Sequence, residues 1–232
     1  FSHHGHRKLV LRQGWENMVD FGWLVWLMKR MELIRGNVFM PMSKVPLIVN
    51  AFGGPYYPDP NVESTSVDLN VSINGTGLTW ADIRDGAGSV ADDVNSGEPA
   101  PKLISNATSG WDQMARLLTL FDATAIPDGD TIDTATESLV AGSKADNFSQ
   151  SITIVVCAPA TNTALVAADY NIANWTMTQQ NSTDITIASY VADSTTYNDF
   201  ALNATGKGNV SKTTITKFGA VLSGDRTNTQ PT

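Results

Sequence analysis

The sequence predicts an all-β fold, an antiparallel β-sandwich of jelly-roll-like type, for residues 55–232. The first observation is a strand in which apolar and polar side chains alternate, since residues 67–73 read Val-Asp-Leu-Asn-Val-Ser-Ile; such alternation is typical of a strand with one buried face. The second is composition: charged residues make up only 16% of the chain, against about 25% in average soluble domains. Thr, Ser, Asn, Asp and Gly take up the difference, which suits strands joined by many turns. The third is a series of short apolar runs separated by turn-forming residues, as in sandwiches and barrels.

Seven strands and one short helix are expected within this domain. The strand over residues 63–73 should end at Asn74-Gly75, a pair that accepts the positive φ angles of a tight turn. The strand over residues 114–121 is almost continuously apolar, which predicts burial of both its faces. Residues 84–110 are rich in Gly, Asp, Ser and Pro and predict long loops with short strands between them. The other expected strands cover residues 132–140, 152–157, 185–190, 199–202 and 215–222, and a helix-like stretch covers 163–170.

Residues 1–54 differ from the rest and are predicted to be a short N-terminal extension outside the β domain. All three histidines lie in the first six residues, and seven of the fifteen Lys and Arg residues lie before residue 45. The apolar run over residues 19–28 is about half the roughly 20 residues that a transmembrane helix needs, so no stable membrane span is expected. Three interpretations stay open: a poor membrane anchor or signal, an amphipathic helix that packs on a partner, or upstream sequence preceding a start at Met40 or Met42.

Charge and residue types exclude most chemistries. A net charge of −8 argues against nucleic-acid partners, which need clustered Lys and Arg. The β domain has no histidine, and its one cysteine, Cys157, is expected to be a buried strand residue. Ser-His-Asp and Cys-His triads and His-ligated zinc are therefore excluded. Paired carboxylates remain available for glycoside hydrolysis, but no pair stands out, and no enzymatic activity is expected.

Acidic side chains offer a tentative metal site. Asp128, Asp130 and Asp133 cluster around a turn and could supply the several oxygen ligands that calcium needs, although the EF-hand spacing is absent. A second acidic group comprises Asp82, Asp85, Asp92 and Asp93. The alternative is that these residues form turns and solvated loops. No cofactor is expected apart from this tentative structural calcium.

Aromatic side chains offer a tentative carbohydrate site. Trp80, Trp111, Trp175 and Tyr197, with Tyr190 beside them, could form a platform on which pyranose rings stack. The alternative for the same residues is packing in the core of the sandwich.

The string RLLTLFDATAIPDGDTIDTATESL, residues 116–139, resembles the DNRLRE-type β-sandwich modules. Their pattern is an Arg-led strand ending in Phe-Asp, then Ile-Pro, a Gly-containing turn and a Thr-Ile-led strand. The matching residues are Arg116, Phe121, Asp122, Ile126, Pro127, Gly129, Thr131, Ile132, Ala135 and Leu139. The stretches 162–170, 195–206 and 210–219 are similar to a bacterial and phage branch of such modules, so the resemblance covers roughly residues 60–232.

The turn-rich, histidine-free and acidic sandwich predicts a non-catalytic structural or interaction module of a virion or of a cell-surface or secreted protein, and the resemblance implies a jelly-roll-like sandwich in the same extracellular or virion setting. Its partners would be glycans or other surface or virion proteins, and a carbohydrate-binding module is the alternative. The chain departs from the pattern at Glu137, where an inward Leu is usual, which predicts a shifted strand or an edge position. Relatives also continue with further strands beyond Thr232, so the domain is expected to be C-terminally incomplete, with an unpaired edge.

Overall fold

A computed structural model describes residues 37–38, 47–49, 55–59, 62–93, 101–105 and 110–232, and these residues form an antiparallel β-sandwich. The predicted all-β fold class is confirmed. The described residues form twelve strands, three short α-helices and two 3-10 helices.

The strands are β1 (Asn37–Val38), β2 (Leu47–Val49), β3 (Asp68–Leu78), β4 (Val90–Asp92), β5 (Lys102–Ser105), β6 (Trp111–Asp122), β7 (Ala135–Leu139), β8 (Ser151–Cys157), β9 (Trp175–Thr176), β10 (Ile185–Thr186), β11 (Asn198–Ala201) and β12 (Ile215–Leu222). The helices are α1 (Trp80–Asp85), α2 (Ala204–Gly208) and α3 (Ser223–Thr227), and the 3-10 helices are Ala167–Tyr170 and Ile172–Asn174.

The larger sheet has nine strands and is built around β6. One edge of β6 pairs with β3, while the opposite edge pairs with β5 over residues 111–115 and with β12 over residues 117–122. The strand order continues from β5 to β1 and from β12 through β8 to β10, with β4 on β3 and β9 on β8. Arg116 therefore lies where β5 and β12 diverge, since neither strand has a residue paired with it.

The smaller sheet has the strand order β11-β7-β2. Leu47, Glu137 and Phe200 lie side by side across its three strands and are fully buried. The next row along the strands points the other way, and its Ile48 and Ala201 are exposed. The smaller sheet thus has one inner face and one outer face, as the alternation of strand residues requires.

The inner face of the smaller sheet packs on the larger sheet. Leu47 and Phe200 belong to the same apolar cluster as Leu117 and Phe121 of β6. Helix α1 and the 3-10 helix Ala167–Tyr170 lie against the opposite face of the larger sheet, where they contact β6 and β3 respectively. Residues 114–121 are all buried, which confirms the prediction that both faces of this strand are covered.

Strand β3 corrects the prediction of a turn at Asn74-Gly75. The strand runs on to Leu78, with a register shift against β6 between Asn74 and Leu78. A bulge replaces the turn because Gly77, at φ 64°, lets the backbone bend without leaving the sheet. The N–H of Gly77 donates to Oδ1 of Asp112 at 2.9 Å, which holds the bulge on β6.

Helix α1 was not predicted, although residues 79–82 carry the sequence pattern of a helix start. The hydroxyl of Thr79 accepts a hydrogen bond from the N–H of Asp82 at 3.1 Å, and the Asp82 carboxylate accepts one from the N–H of Thr79 at 3.3 Å. This Thr-x-x-Asp capping box satisfies two backbone donors at the helix start. The apolar Trp80 and Ile83 that follow it are too few to give a visible helical period.

Two other expectations are corrected in extent. The helix-like stretch 163–170 is helical only over Ala167–Tyr170, as a 3-10 helix. The predicted strand 185–190 is reduced to Ile185–Thr186 because Thr186–Tyr190 form a turn, with Tyr190 N–H donating to Thr186 O at 3.0 Å. The last strand, β12, pairs with β6 on one edge and with β8 on the other.

The predicted N-terminal extension lies mostly outside the described residues, including the apolar run and all of residues 1–36. Two described pieces of it belong to the sandwich: β1 pairs with β5, and β2 pairs with β7. The β domain therefore includes strands from upstream of residue 55. None of the helices among the described residues is long and apolar enough to span a bilayer.

Gly219 in β12 gives a test of how closely the sheet is packed. A Cβ at this position would lie 2.5 Å from Cζ3 of Trp175 and 2.6 Å from the carbonyl oxygen of Leu117. We expect Gly219→Ala to lower the free energy of unfolding by about 1–3 kcal/mol, since the strand cannot move away from its partners. Urea denaturation measures this.

The matched control is Gly208→Ala, because a Cβ at Gly208 meets nothing within 4 Å. Its free energy of unfolding should stay within about 0.5 kcal/mol of wild type. Equal stability of the two variants would show that β12 does not lie against Trp175 as described.

Candidate functional site

Arg116 and Asp225 form an ion pair in the interior. Nε of Arg116 donates to Oδ2 of Asp225 at 2.8 Å and Nη2 donates to Oδ1 at 2.9 Å, in a two-pronged geometry. The Arg116 side chain is fully buried and that of Asp225 is 2% exposed. Such an arrangement is among the strongest that a carboxylate can make.

Neighbouring elements complete the surroundings of Arg116. Its Nη2 also donates to the carbonyl of Arg84 in α1 at 2.7 Å, and its Nη1 donates to the carbonyl of Tyr170. The guanidinium lies 4.3 Å from the ring centroid of Tyr170 and 5.7 Å from that of Trp175. One side chain thus links β6 to α1, to the 3-10 helix Ala167–Tyr170 and, through Asp225, to α3.

We call Arg116 and its partners Asp225, Arg84, Tyr170 and Trp175 the Arg116 cluster, and its electrostatics favour the charged form of both Arg116 and Asp225. Burial alone would favour a neutral guanidine, but the carboxylate of Asp225 raises the pKa of Arg116 above its ordinary value. Asp225 also accepts from Arg84, whose Nε donates to the Asp225 carbonyl at 2.9 Å. Since the donors of Arg116 are bound by these internal partners, the cluster stabilises the junction between the sheet and its helical cover.

Glu137 is the second buried ionisable group, and it corrects a prediction. It lies neither at an edge nor on a shifted strand: β7 is the middle strand of the smaller sheet, and Glu137 points inward. Its Oε1 accepts a hydrogen bond from Oγ1 of Thr119 in β6 at 2.8 Å. Burial raises the pKa of Glu137 to about 8, and the Thr119 bond opposes the rise only in part. A neutral carboxyl can therefore stand where an inward Leu was expected.

Asp68 and Glu63 are two carboxyl groups within electrostatic reach of each other. Burial, and then the charge of Glu63, raise the pKa of the half-buried Asp68 to about 6. Asp68 pairs with Thr119 in the β3–β6 register. A raised carboxyl pKa suits a general acid, but a glycosidase also needs a second carboxyl group on the other side of a substrate cleft.

The predicted carbohydrate platform is not a single surface. Trp111 and Trp175 are only 4% and 6% exposed, so they do not present ring faces to a ligand. Trp175 lies in the Arg116 cluster, and its Nε1 donates to the carbonyl of Asp169 at 2.9 Å. Trp111 packs edge to face on Trp80, with ring centroids 5.7 Å apart, and the half-buried Trp80 donates to Asn228. Tyr190 is also buried.

Tyr197 is exposed and lies on the outer face of the smaller sheet. It precedes β11 and alternates with Asp199 and Ala201, which are exposed on the same side. Tyr57 reaches this face from the other edge, since its neighbour Tyr56 pairs with Leu47 through hydrogen bonds of 2.8 Å. Partial burial, and then the phenol of Tyr57, raise the pKa of Tyr197, so the two rings lie within electrostatic reach.

We call the surface formed by Ile48, Tyr57, Tyr197, Asp199 and Ala201 the outer face. Tyr57 is 50% exposed, Ile48 44% and Tyr197 40%. The sequence did not predict Tyr57 or Ile48, because Pro and Gly around them indicate a linker. The sequence feature that could have indicated an exposed tyrosine here is the pair Tyr56-Tyr57 between two prolines.

In the structure, lysine side chains bind the backbone carbonyl groups of the three aspartates that were predicted to bind calcium. Nζ of Lys212 donates to the carbonyl of Asp130 at 2.8 Å and to that of Asp128, and Nζ of Lys207 donates to the carbonyl of Asp133 at 2.9 Å. No group of three or more His, Cys, Asp or Glu side chains suited to a metal ion occurs among the described residues. The three aspartates thus belong to a turn that two ammonium groups fasten to the residues around α2.

The second acidic group is dispersed over separate structural contacts. Asp82 caps α1, Asp85 pairs with Arg84 at 2.6 Å, and Asp93 accepts from the N–H of Leu165 at 3.0 Å. Cys157 is buried in β8, where its thiol donates to the carbonyl of Phe218 at 3.0 Å. Burial raises the pKa of this thiol, which keeps it protonated and unreactive.

Comparison of the chain with models of protein families, with curated proteins and with solved structures gave no significant match. The resemblance to DNRLRE-type modules therefore stays a prediction, and the case for a function depends on the geometry of the chain itself.

Removing the charge of Asp225 tests the Arg116 cluster. Asp225→Asn keeps the size of the side chain but leaves the guanidinium of Arg116 without its counter-charge in the interior. We expect a loss of about 3–5 kcal/mol in the free energy of unfolding, the usual cost of breaking a buried pair. Chemical denaturation followed by near-UV circular dichroism measures it.

Asp85→Asn is the matched control, because its pair with Arg84 is 44% exposed on the carboxylate side. It should cost less than about 1 kcal/mol, as surface pairs do. A loss at Asp225 no larger than that at Asp85 would mean that the buried pair contributes no more than a surface pair.

Proposed function

We propose that the β domain is a non-catalytic structural or interaction module of a virion or of a cell-surface or secreted protein. The observation that carries this proposal is the outer face of the smaller sheet, where Ile48, Tyr57 and Tyr197 are exposed together. Tyrosine is enriched at the centres of protein interfaces because its ring offers a large contact area and its hydroxyl a hydrogen bond.

The distribution of exposed apolar residues supports this choice. Seven large hydrophobic side chains are exposed among the described residues, and three of them lie on the outer face. The other four are the valines Val62, Val90, Val166 and Val191. Apolar groups concentrated on one face are a common feature of contact surfaces, whereas single exposed valines are ordinary.

The use of the buried charges also supports a non-catalytic role. Arg116 and Asp225 bind each other, and the Glu137 carboxyl binds Thr119 between the two sheets. Both arrangements join elements of the fold. A catalytic acid or base would need to reach a substrate, and these groups are fully or almost fully buried.

A carbohydrate-binding module is the alternative, and the pair of Tyr57 and Tyr197 favours it. Two exposed rings on a sheet surface can stack on apolar faces of pyranoses, and the nearby carboxylate of Asp199 can accept hydrogen bonds from hydroxyls. Asp199 already accepts from Oγ of Ser138 at 2.6 Å, which holds its carboxylate in place.

The test compares wild type with Tyr57→Ser/Tyr197→Ser in the full chain, each produced from its own gene in its natural setting. Immunoblots measure the share recovered in washed particles or in the washed cell-surface fraction. We expect wild type in one of these fractions and at least about tenfold less of the double variant, since interface tyrosines often contribute 2 kcal/mol or more.

Val90→Ser/Val166→Ser is the matched control, since it removes two exposed apolar side chains elsewhere on the domain. It should behave as wild type. Wild type confined to the cytosol contradicts the proposed setting, and full retention of the tyrosine variant contradicts the outer face as the contact. Glycan-array signals that the tyrosine variant loses would favour the carbohydrate alternative.

A further inference from the structure

We propose that Glu137 is a proton-controlled latch between the two sheets: with its proton it holds the smaller sheet on the larger one, and without its proton that contact loosens. This inference concerns the interior of the sandwich and does not depend on the proposed contact surface.

The position of Glu137 makes it the polar bridge of the interface. It lies on the middle strand β7, between Leu47 of β2 and Phe200 of β11, and all three side chains are 0% exposed. Its Oε1 reaches across to Oγ1 of Thr119 on β6. Its Oε2 is buried and has no hydrogen-bond partner. An ionised carboxylate here would carry its charge with a single hydrogen bond, which is unfavourable in a dry interior.

The groups that face Glu137 carry no compensating positive charge. From β3, Asp68 pairs with Thr119 and so shares the face of the larger sheet that Glu137 reaches, but as a carboxyl group it adds no positive charge. The buried phenol of Tyr190, before β11, is neutral, since burial and then Glu137 raise its pKa against the hydrogen bond of Asn198. Cys157 of β8 follows Val156, which pairs with Phe218, so it lies on the opposite face, where burial keeps its thiol neutral. On β2 and β11 its neighbours are apolar, and Asp199 points to the outer face.

Lys217 on β12 is the basic residue closest along the strands, but it points away. It pairs with Leu120, one residue beyond Thr119, and adjacent residues of a strand lie on opposite faces of the sheet. The ammonium group of Lys217 is therefore on the far side of the larger sheet and does not neutralise a Glu137 carboxylate.

The raised pKa of Glu137 sets the direction in which the stability of the fold changes with pH. The pKa of Glu137 is about 8 in the folded chain, against an ordinary value of 4.5. The folded chain keeps the proton that the unfolded chain releases, so its contribution to stability is complete below about 4.5 and is lost as pH rises to about 8. In this window the unfolding equilibrium constant should rise about tenfold per pH unit.

Other carboxyl groups change the stability of the fold over different pH ranges. Burial and Glu63 raise the pKa of Asp68 to about 6, so its contribution changes below that pH. For Asp59, hydrogen bonds from Thr65 and Ser64 outweigh burial and lower the pKa to about 2, and bonds from Thr196 and Thr195 lower that of Asp193. The range from pH 6.5 to 8 therefore isolates Glu137 among these groups.

The experiment measures urea unfolding of the full chain at pH 5–9 for wild type, Glu137→Gln and Asp68→Asn. We expect the unfolding constant of wild type and Asp68→Asn to rise about fifteenfold in total between pH 6.5 and 8, because the slope lessens as the folded chain nears its own pKa, and that of Glu137→Gln to stay level. Hydrogen exchange, corrected for its intrinsic pH dependence, should speed up in peptides covering β7 and β11 before those covering β6 and β12.

A second variant covers the case in which Glu137→Gln fails to fold. Thr119→Val removes the hydrogen bond that favours the ionised carboxyl, so the loss of stability should move to higher pH than in wild type. An equal rise for wild type and Glu137→Gln, or an unmoved window in Thr119→Val, would overturn the role of Glu137. Simultaneous exchange in both sheets would overturn a latch confined to the smaller sheet.

Discussion

The ion pair between Arg116 and Asp225 is the interaction on which the rest of the sandwich depends. Strand β6 is the centre of the larger sheet, and Arg116 lies where β5 and β12 diverge from it. A buried guanidinium requires acceptors, and it finds them on α1, on the 3-10 helix Ala167–Tyr170 and on α3. Each of these elements is short and would be marginal alone. The desolvated charge makes their placement specific, because any other arrangement would leave it unpaired.

The two faces of β6 solve the burial of polar groups in different ways. On the helical side, positive and negative charges are matched in the Arg116 cluster. On the side of the smaller sheet, the carboxyl of Glu137 is kept neutral by burial and accepts a hydrogen bond from Thr119. Both solutions turn ionisable groups inward and leave the outer face of the smaller sheet to Ile48, Tyr57 and Tyr197. That division of labour is the physical basis for proposing an interaction module rather than an enzyme.

The sequence predicted what depends on local patterns and missed what depends on distant partners. Alternation identified β3, and the continuous apolar run of β6 predicted burial on both its faces. Arg116 lies inside that run, but its partner Asp225 is 109 residues away, and one sequence does not reveal such a pairing. Trp111 and Trp175 have the same composition signal whether they bind sugars or fill a core, so their burial required the fold. Tyr57 was hidden because prolines beside it indicate a linker, although Tyr56 in fact pairs with β2.

The most direct test of the buried pair between Arg116 and Asp225 is nitrogen-15 NMR of the arginine Nε–H groups in the folded chain. The hydrogen bond to Asp225 and complete burial predict a resolved Arg116 Nε–H signal, with hydrogen exchange slowed at least about a hundredfold relative to free arginine, since exchange then requires opening of the structure. An Arg116 signal that exchanges as fast as free arginine would contradict a buried ion pair, because the guanidinium would then be in contact with water and the junction of β5, β6 and β12 would be held by other means.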